Sequence, residues 1–173
     1  MLKLLIILPC LLLMFQHINA KVETPNYDFS LETLKDFFPD RPILELDKKY
    51  GKGEVMSEEG GTKTLKYYVS HLRYKFPVLV QVREGVILDF YARLPNYFLH
   101  DIFFQSLINR LGKQTSYKKI GEEAVYTWEA KPLKHIYNAA CTITCFPIFY
   151  AVEKEEAGQT SLLQKMKKAN FSN

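Results

Sequence analysis

The sequence predicts an α+β protein made of two tandem units, each a helix pair followed by an antiparallel sheet. Two glycine-lysine pairs carry the first indication: Tyr50-Gly51-Lys52 and Leu111-Gly112-Lys113 each end an apolar-periodic segment and precede a polar turn and an aromatic strand. The second is an offset of 60 residues between 86–94 (VILDFYARL) and 146–154 (FPIFYAVEK), at which Val86, Leu88, Phe90 and Ala92 fall on Phe146, Ile148, Tyr150 and Val152. Strand side chains alternate faces, so a one-residue slip would scramble that match. The expected organisation is a leader over 1–20, an N-terminal segment over 21–30, one repeat over 31–94, a second over 95–154 and a polar, basic tail over 155–173.

The first 20 residues carry Lys3 as their only charged side chain, an apolar run from Leu4 to Phe15 and a small residue, Ala20, at the end. That is the layout of a secretory leader cleaved after Ala20, and the apolar run is shorter than the roughly 20 residues a spanning helix needs. Leu8-Pro9 stand before Cys10 where lipidation signals have small residues, so Cys10 is read as part of the leader. Export places the protein in the periplasm or outside the cell, with outer-membrane association as a further expectation. Loss of Lys3 with the leader lowers the formal net charge from +4 to +3, with charges of both signs interspersed along the remaining chain. No nucleic-acid footprint is present in such a pattern.

In the first unit Leu31, Leu34, Phe37 and Phe38 predict a short helix broken by Pro39. Asp40 is placed to cap a second helix from about Pro42 to Tyr50, with Gly51 at its end. Residues 63–72 and 76–83 are rich in β-formers, and Glu84-Gly85 turns the chain into Val86. In the second unit Phe103, Phe104, Leu107, Ile108 and Leu111 make a helical stripe, opposite Asp101, Gln105 and Asn109 and ended by Gly112. Dropping one residue from the first copy aligns Gly61 with Gly121, Leu65 with Val125 and Tyr68 with Trp128. The tail reads as a frayed terminus, although Leu162, Leu163 and Met166 with Lys165, Lys167 and Lys168 also fit a short basic amphipathic helix.

Cys141 and Cys145 remain in the exported chain. In one straight strand they would lie roughly 13 Å apart, beyond disulfide reach, whereas across a hairpin they would face each other at about 5.5 Å. The offset places them at a hairpin turn, Gly85 aligning with Cys145. A structural disulfide is favoured over a metal clamp, which needs further convergent ligands, and over a redox pair, which uses a different spacing.

Two helix-helix-sheet copies, with Tyr50-Gly51-Lys52 and Leu111-Gly112-Lys113 at the helix ends and Tyr126-Thr127-Trp128 on an aromatic strand, resemble the β-lactamase inhibitory protein fold. They also resemble the single-repeat domain of the BamE (SmpA/OmlA) outer-membrane assembly lipoproteins. Asp40-Arg41-Pro42 and His100-Asp101 stand where those families carry a small Gly-Met-Ser/Thr signal. The resemblance implies a non-enzymatic protein that works by protein contacts through its sheet or loops.

The expected function is therefore an exported, non-catalytic protein-binding or envelope-assembly protein acting through a sheet face. The alternative is a small hydrolase or ligand carrier with a cleft between the repeats, which would require His and Asp or Glu to converge in one pocket. His71, His100 and His135 are scattered, and no Gly-rich phosphate loop, G-x-S-x-G or H-E-x-x-H occurs. Neither a metal nor a cofactor is expected. The candidate partner surface is the strand parity opposite the core: Asp89, Tyr91 and Arg93 beside Tyr68, with Tyr126 and Trp128 from the second unit. Tyr, Trp and Arg on a rigid sheet is the composition of protein-recognition surfaces, and the same aromatics also suit packing beneath the helices. The expected partner is a protein, with peripheral contact to a membrane or envelope as a further expectation.

Overall fold

A computed structural model describes residues 32–71, 74–95, 98–154 and 160–171. The expected leader over 1–20, Cys10, the segment 21–30 and Leu31 lie outside the described residues. Residues 32–34 are helical and run into a 3-10 turn, Lys35–Phe37. There follow α1 (Ile43–Tyr50), β1 (Glu54–Glu59), β2 (Thr62–His71), β3 (Tyr74–Arg83), β4 (Val86–Arg93), α2 (His100–Leu111), β5 (Ser116–Ile120), β6 (Glu123–Ala130), β7 (Leu133–Cys141), β8 (Cys145–Lys154) and α3 (Leu162–Phe171).

The strands form one eight-stranded sheet in the order β1-β2-β3-β4-β8-β7-β6-β5, antiparallel throughout. Two four-stranded meanders therefore meet at their last strands. At that seam Phe90 stands opposite Val152 and Ala92 opposite Tyr150. All four are buried in one core cluster with Phe103 and Leu107 of α2, Leu34 and Phe37 of the first turn, and Leu46 of α1. The helical stripe read from sequence thus covers one sheet face, and burying each large apolar side chain there contributes roughly 1.5–3 kcal/mol.

Two-residue turns explain the hairpin registers. Glu84 and Gly85 adopt φ of 52° and 79°, between the paired residues Arg83 and Val86; consecutive positive φ values match the right-handed twist of the flanking strands. Gly60 and Gly61, with φ of 55° and 75°, make the corresponding β1–β2 turn. The β6–β7 connection holds a cis Lys131-Pro132 peptide.

The structure corrects several expectations. Asp40 adopts φ 68° instead of capping α1, whose N-cap is Pro42 with no side-chain cap hydrogen bond. Its carboxylate instead pairs with Lys154 at 2.9 Å. The core parity expected along β4 and β8 holds only past a bulge in each strand. Gln81 faces Asp89 and Val82 faces Ile87, leaving Leu88 as the extra residue, and Ile148 is extra in the same way between Phe149 and Pro147. One inserted residue reverses the parity beyond it, so Ile87 is buried while Val86 and Phe146 are exposed. The described part of the tail, 160–171, carries a helix: Ser161 caps α3 by accepting a hydrogen bond from the Gln164 N–H at 3.3 Å. Leu163 packs against Ile136, Phe149 and Ala151 on the sheet face opposite α2.

The hairpin disulfide is present. Cys141 and Cys145 pair across β7 and β8, with Cα atoms 4.0 Å apart and a bonded Sγ pair. Thr142, Ile143 and Thr144 form the exposed tip. Among the described residues no helix is long and apolar enough to cross a membrane.

Candidate binding groove

The six residues expected to share a partner surface separate onto two faces and into the core. Trp128 is 2% exposed beneath α2, and its indole N–H donates to the Gly112 carbonyl at 2.8 Å. Tyr126 is half-buried on the same face, its ring 4.5 Å from that of Phe104. Asp89 is 2% exposed on the other face, under α3. Tyr91 is half-buried there, its ring 5.0 Å from Phe149. Only Arg93 and Tyr68 remain open to solvent. The structure does not place Tyr68 at the same distance from its turn as Trp128. The turns fall at Gly60-Gly61 and Gly121-Glu122, so Tyr67, 2% exposed, stands at the distance from its turn that Trp128 does from its own.

Tyr68 instead lines a groove of about 730 Å³ at the margin of the sheet. β1 pairs with β2 only over Thr62 to Lys66, so the following stretch of β2 is bordered by β3 on one side and by no described strand on the other. Lys66, Tyr67, Tyr68 and Ser70 of β2 form the groove's wall, with Lys75 of β3 beyond Ser70. Lys49 and Tyr50 from the end of α1, Lys52 from the following loop and Glu54 of β1 close the other side. Lysines at a helix C-terminus also complement the negative end of the helix dipole.

The groove is held by hydrogen bonds beneath it. The Tyr67 hydroxyl donates to Asp47 at 2.7 Å and the Tyr50 hydroxyl to Asp36 at 2.7 Å. Burial, reinforced by those carboxylates, pushes both phenols well above the ordinary tyrosine range. Gly53 lies against the Tyr67 ring so closely that a Cβ would sit 2.6 Å from it. The Lys66 ammonium lies 5.4 Å from the centre of the Tyr68 ring and 2.9 Å from Glu54, whose hydrogen bond raises its pKa, with Tyr68 adding to the effect. Lys49 pairs with Asp36. Lys52 and Lys75 engage in no ion pair among the described residues. Four lysines therefore line a groove that holds an exposed aromatic ring, and two of them have no counter-ion among the described residues.

His100 and His135 each bond a tyrosine hydroxyl and no carboxylate among the described residues. His100 shares a hydrogen bond with the Tyr137 hydroxyl at 2.9 Å and His135 with that of Tyr150 at 2.7 Å, all buried beneath the helices. Burial lowers the His100 pKa and brings that of His135 down to about 4, so both rings are neutral near pH 7. Among the described residues no three His, Cys, Asp or Glu side chains gather as metal ligands would.

Lys49, Lys52 and Lys75 carry no sequence signal of their own as groove residues. They are separated by loop and strand, and pairing of β2 with β3 and docking of α1 bring them together. The alternation of Lys66, Tyr68 and Ser70 out of the core parity agrees with the exposure of Tyr68, which from sequence suited packing beneath the helices equally well.

No protein-family model matches the chain, and no curated protein matches its sequence. Its backbone is weakly similar to a DUF4309 family protein from Bacillus subtilis, with 8% identity, coverage of 68% of this chain and 81% of that one, and a TM-score of 0.44. It is also weakly similar to a cysteine-rich secretory protein from Staphylococcus aureus, with 11% identity, 68% of this chain and 45% of that one, and a TM-score of 0.42. The matched region spans less than half of the staphylococcal chain.

Proposed function

We propose that this chain is an exported, non-catalytic binding protein whose groove beside β2 receives an acidic, extended polypeptide segment. The observation that carries the reading is the pair of ammonium groups, Lys52 and Lys75, that form no ion pair among the described residues and line the groove with exposed Tyr68 along the stretch of β2 that no described strand covers. An uncovered strand edge offers backbone hydrogen bonds to an incoming strand, and the lysines and tyrosine supply attraction for acidic side chains and a flat contact surface. Export is supported by the leader-like residues 1–20 and by the disulfide between Cys141 and Cys145. The reading keeps the two tandem units and the likeness to the β-lactamase inhibitory protein and BamE families as part of the proposal. Support for the two units comes from the two meanders meeting at β4 and β8 and from the bulges at Leu88 and Ile148, which are 60 residues apart. An envelope protein is the partner class proposed.

A fluorescein-labelled oligo-glutamate peptide tests the groove by anisotropy. Binding that weakens on raising salt, and that Lys52→Glu/Lys75→Glu abolishes with an unchanged circular dichroism spectrum, is the expected result. No binding, or equal binding by the variant, overturns the assignment.

A further inference from the structure

We propose that the two outer strands of the sheet join copies of this chain head to tail, β1 of one copy pairing with β5 of the next to extend a single antiparallel sheet. β1 and β5 are terminal in the strand order, and every residue of both is exposed. Each therefore presents a row of backbone donors and acceptors with no described strand beside it, which is the template for strand addition.

The side chains decide which edges meet. β1 (EVMSEE) carries Glu54, Glu58 and Glu59 and no cation, whereas β5 (SYKKI) carries Lys118 and Lys119 and no acid. Glu54 pairs with Lys66 and Glu58 lies 3.5 Å from Lys63, but Glu59, Lys118 and Lys119 engage in no ion pair among the described residues. Pairing β1 with a second β1 sets acid against acid, and pairing β5 with a second β5 sets cation against cation. Like charges directly opposed across strands are destabilising, so the two symmetric pairings are disfavoured and the mixed one is selected.

Direction and facing agree with this choice. Strands alternate in direction across all eight positions of the order, so the first and last run oppositely. A copy shifted sideways by one sheet width thus brings β5 antiparallel to β1, with the helical faces on the same side. Following the cross-strand pairs, Glu58 stands in register with Lys63 and Val82, and Lys119 with Ala124 and Ala139, all on the α2 face. Glu59 and Lys118 fall on the α3 face. One antiparallel register sets Glu58 opposite Lys119 and Glu59 opposite Lys118, matching charge on both faces at once. In that register Ile120, 65% exposed, stands opposite Ser57 and would lose water at the junction.

Such an interface is heterologous, so it leaves a free edge at each end and grows into a ring or an open array. The test uses protein purified after expression of the full-length sequence and sedimentation velocity from about 5 to 300 µM, at about 20 mM and about 500 mM salt, where surface charge is largely screened. Species larger than dimers that grow with concentration and shrink in high salt are expected. Glu58→Lys/Glu59→Lys and Lys118→Glu/Lys119→Glu should each be monomeric with native circular dichroism. Mixed in equal amounts they should assemble again, because each charge-swapped edge then meets its complement. A wild-type monomer at every concentration, a species that stops at a dimer, or variants that fail to restore assembly when mixed would each overturn the proposal.

Discussion

The Asp89 carboxylate of β4 accepts a hydrogen bond at 3.1 Å from the backbone N–H of Leu162, 73 residues later in the chain. The bond joins the first turn of α3 to the sheet face expected to be free for a partner. Gln81, directly across from Asp89, adds a second clamp by donating to the Thr160 carbonyl at 3.1 Å. The other Asp89 oxygen, Oδ1, is buried without a hydrogen-bond partner among the described residues.

Burial raises the Asp89 pKa to about 7, opposed first by the Leu162 N–H and reinforced by Glu153 on the neighbouring strand. Between its ordinary 3.8 and about 7 the folded protein keeps a proton that the unfolded chain releases, so this group's contribution to stability falls as pH rises through that window. His135 has the opposite sign. With its pKa lowered from 6.5 to about 4, the unfolded chain binds a proton that the folded one refuses, so its contribution falls as pH drops through that window. Urea midpoints of Asp89→Asn should therefore rise more steeply with pH than those of wild type between about pH 4 and 6.5, and those of His135→Gln less steeply. A tenfold change in proton affinity corresponds to about 1.4 kcal/mol, so Asp89→Asn should gain roughly 1–3 kcal/mol near pH 8. Identical pH profiles for the variants and wild type would contradict both assignments.

The disulfide closes a very small loop. Its chain-entropy contribution is about 2 kcal/mol, and the eight other cross-strand pairs of the β7–β8 hairpin should survive its loss. Cys141→Ser/Cys145→Ser should lower stability by about that amount, with faster amide exchange confined to residues near the tip. Global loss of β-structure by circular dichroism would show that the bond organises more than its turn.

Trp128 and Tyr68 should respond oppositely to truncation. Trp128→Ala empties a buried site and leaves the Gly112 carbonyl unpartnered, at an expected cost of about 3–5 kcal/mol in guanidinium denaturation. Tyr68→Ala, at a site 50% exposed, should change stability by about 0.5 kcal/mol or less while weakening peptide binding in the groove. Trp128 is the chain's only tryptophan, so its fluorescence reports the unfolding directly.

Gly53→Ala would drive a methyl group into the Tyr67 ring, which burial and the Asp47 hydrogen bond hold in place. Overpacking of this kind costs about 1–3 kcal/mol. Thermal melts should show the loss, and oligo-glutamate affinity should fall with it because the ring supports the groove.

Much of the local structure was legible in the chain. Apolar spacing located α2, Gly51 and Gly112 marked helix ends, and Glu84-Gly85 marked a hairpin, because each depends on neighbours within one turn or one strand. Three features were not legible. The bulges at Leu88 and Ile148 reverse side-chain parity, and alternation alone does not reveal them, although Pro147 beside Ile148 is a residue that central strands admit mainly at bulges. The register of the β1–β2 turn exchanged Tyr67 for Tyr68 through a slip of one residue. The docking of α3 depends on Asp89 and Gln81, which are distant in sequence from Leu162 and Thr160.

By itself the sequence determined the α+β composition, the alternation of most strands and the cysteine hairpin, since propensity, periodicity and turn chemistry act over a few residues. Tertiary structure alone decided that the two meanders join at β4 and β8, that α3 covers the face carrying Asp89, and that Lys49, Lys52, Lys66 and Lys75 line one groove with Tyr68. These outcomes depend on which surfaces bury one another across long separations, and a local pattern encodes a side chain's face without encoding what will cover it.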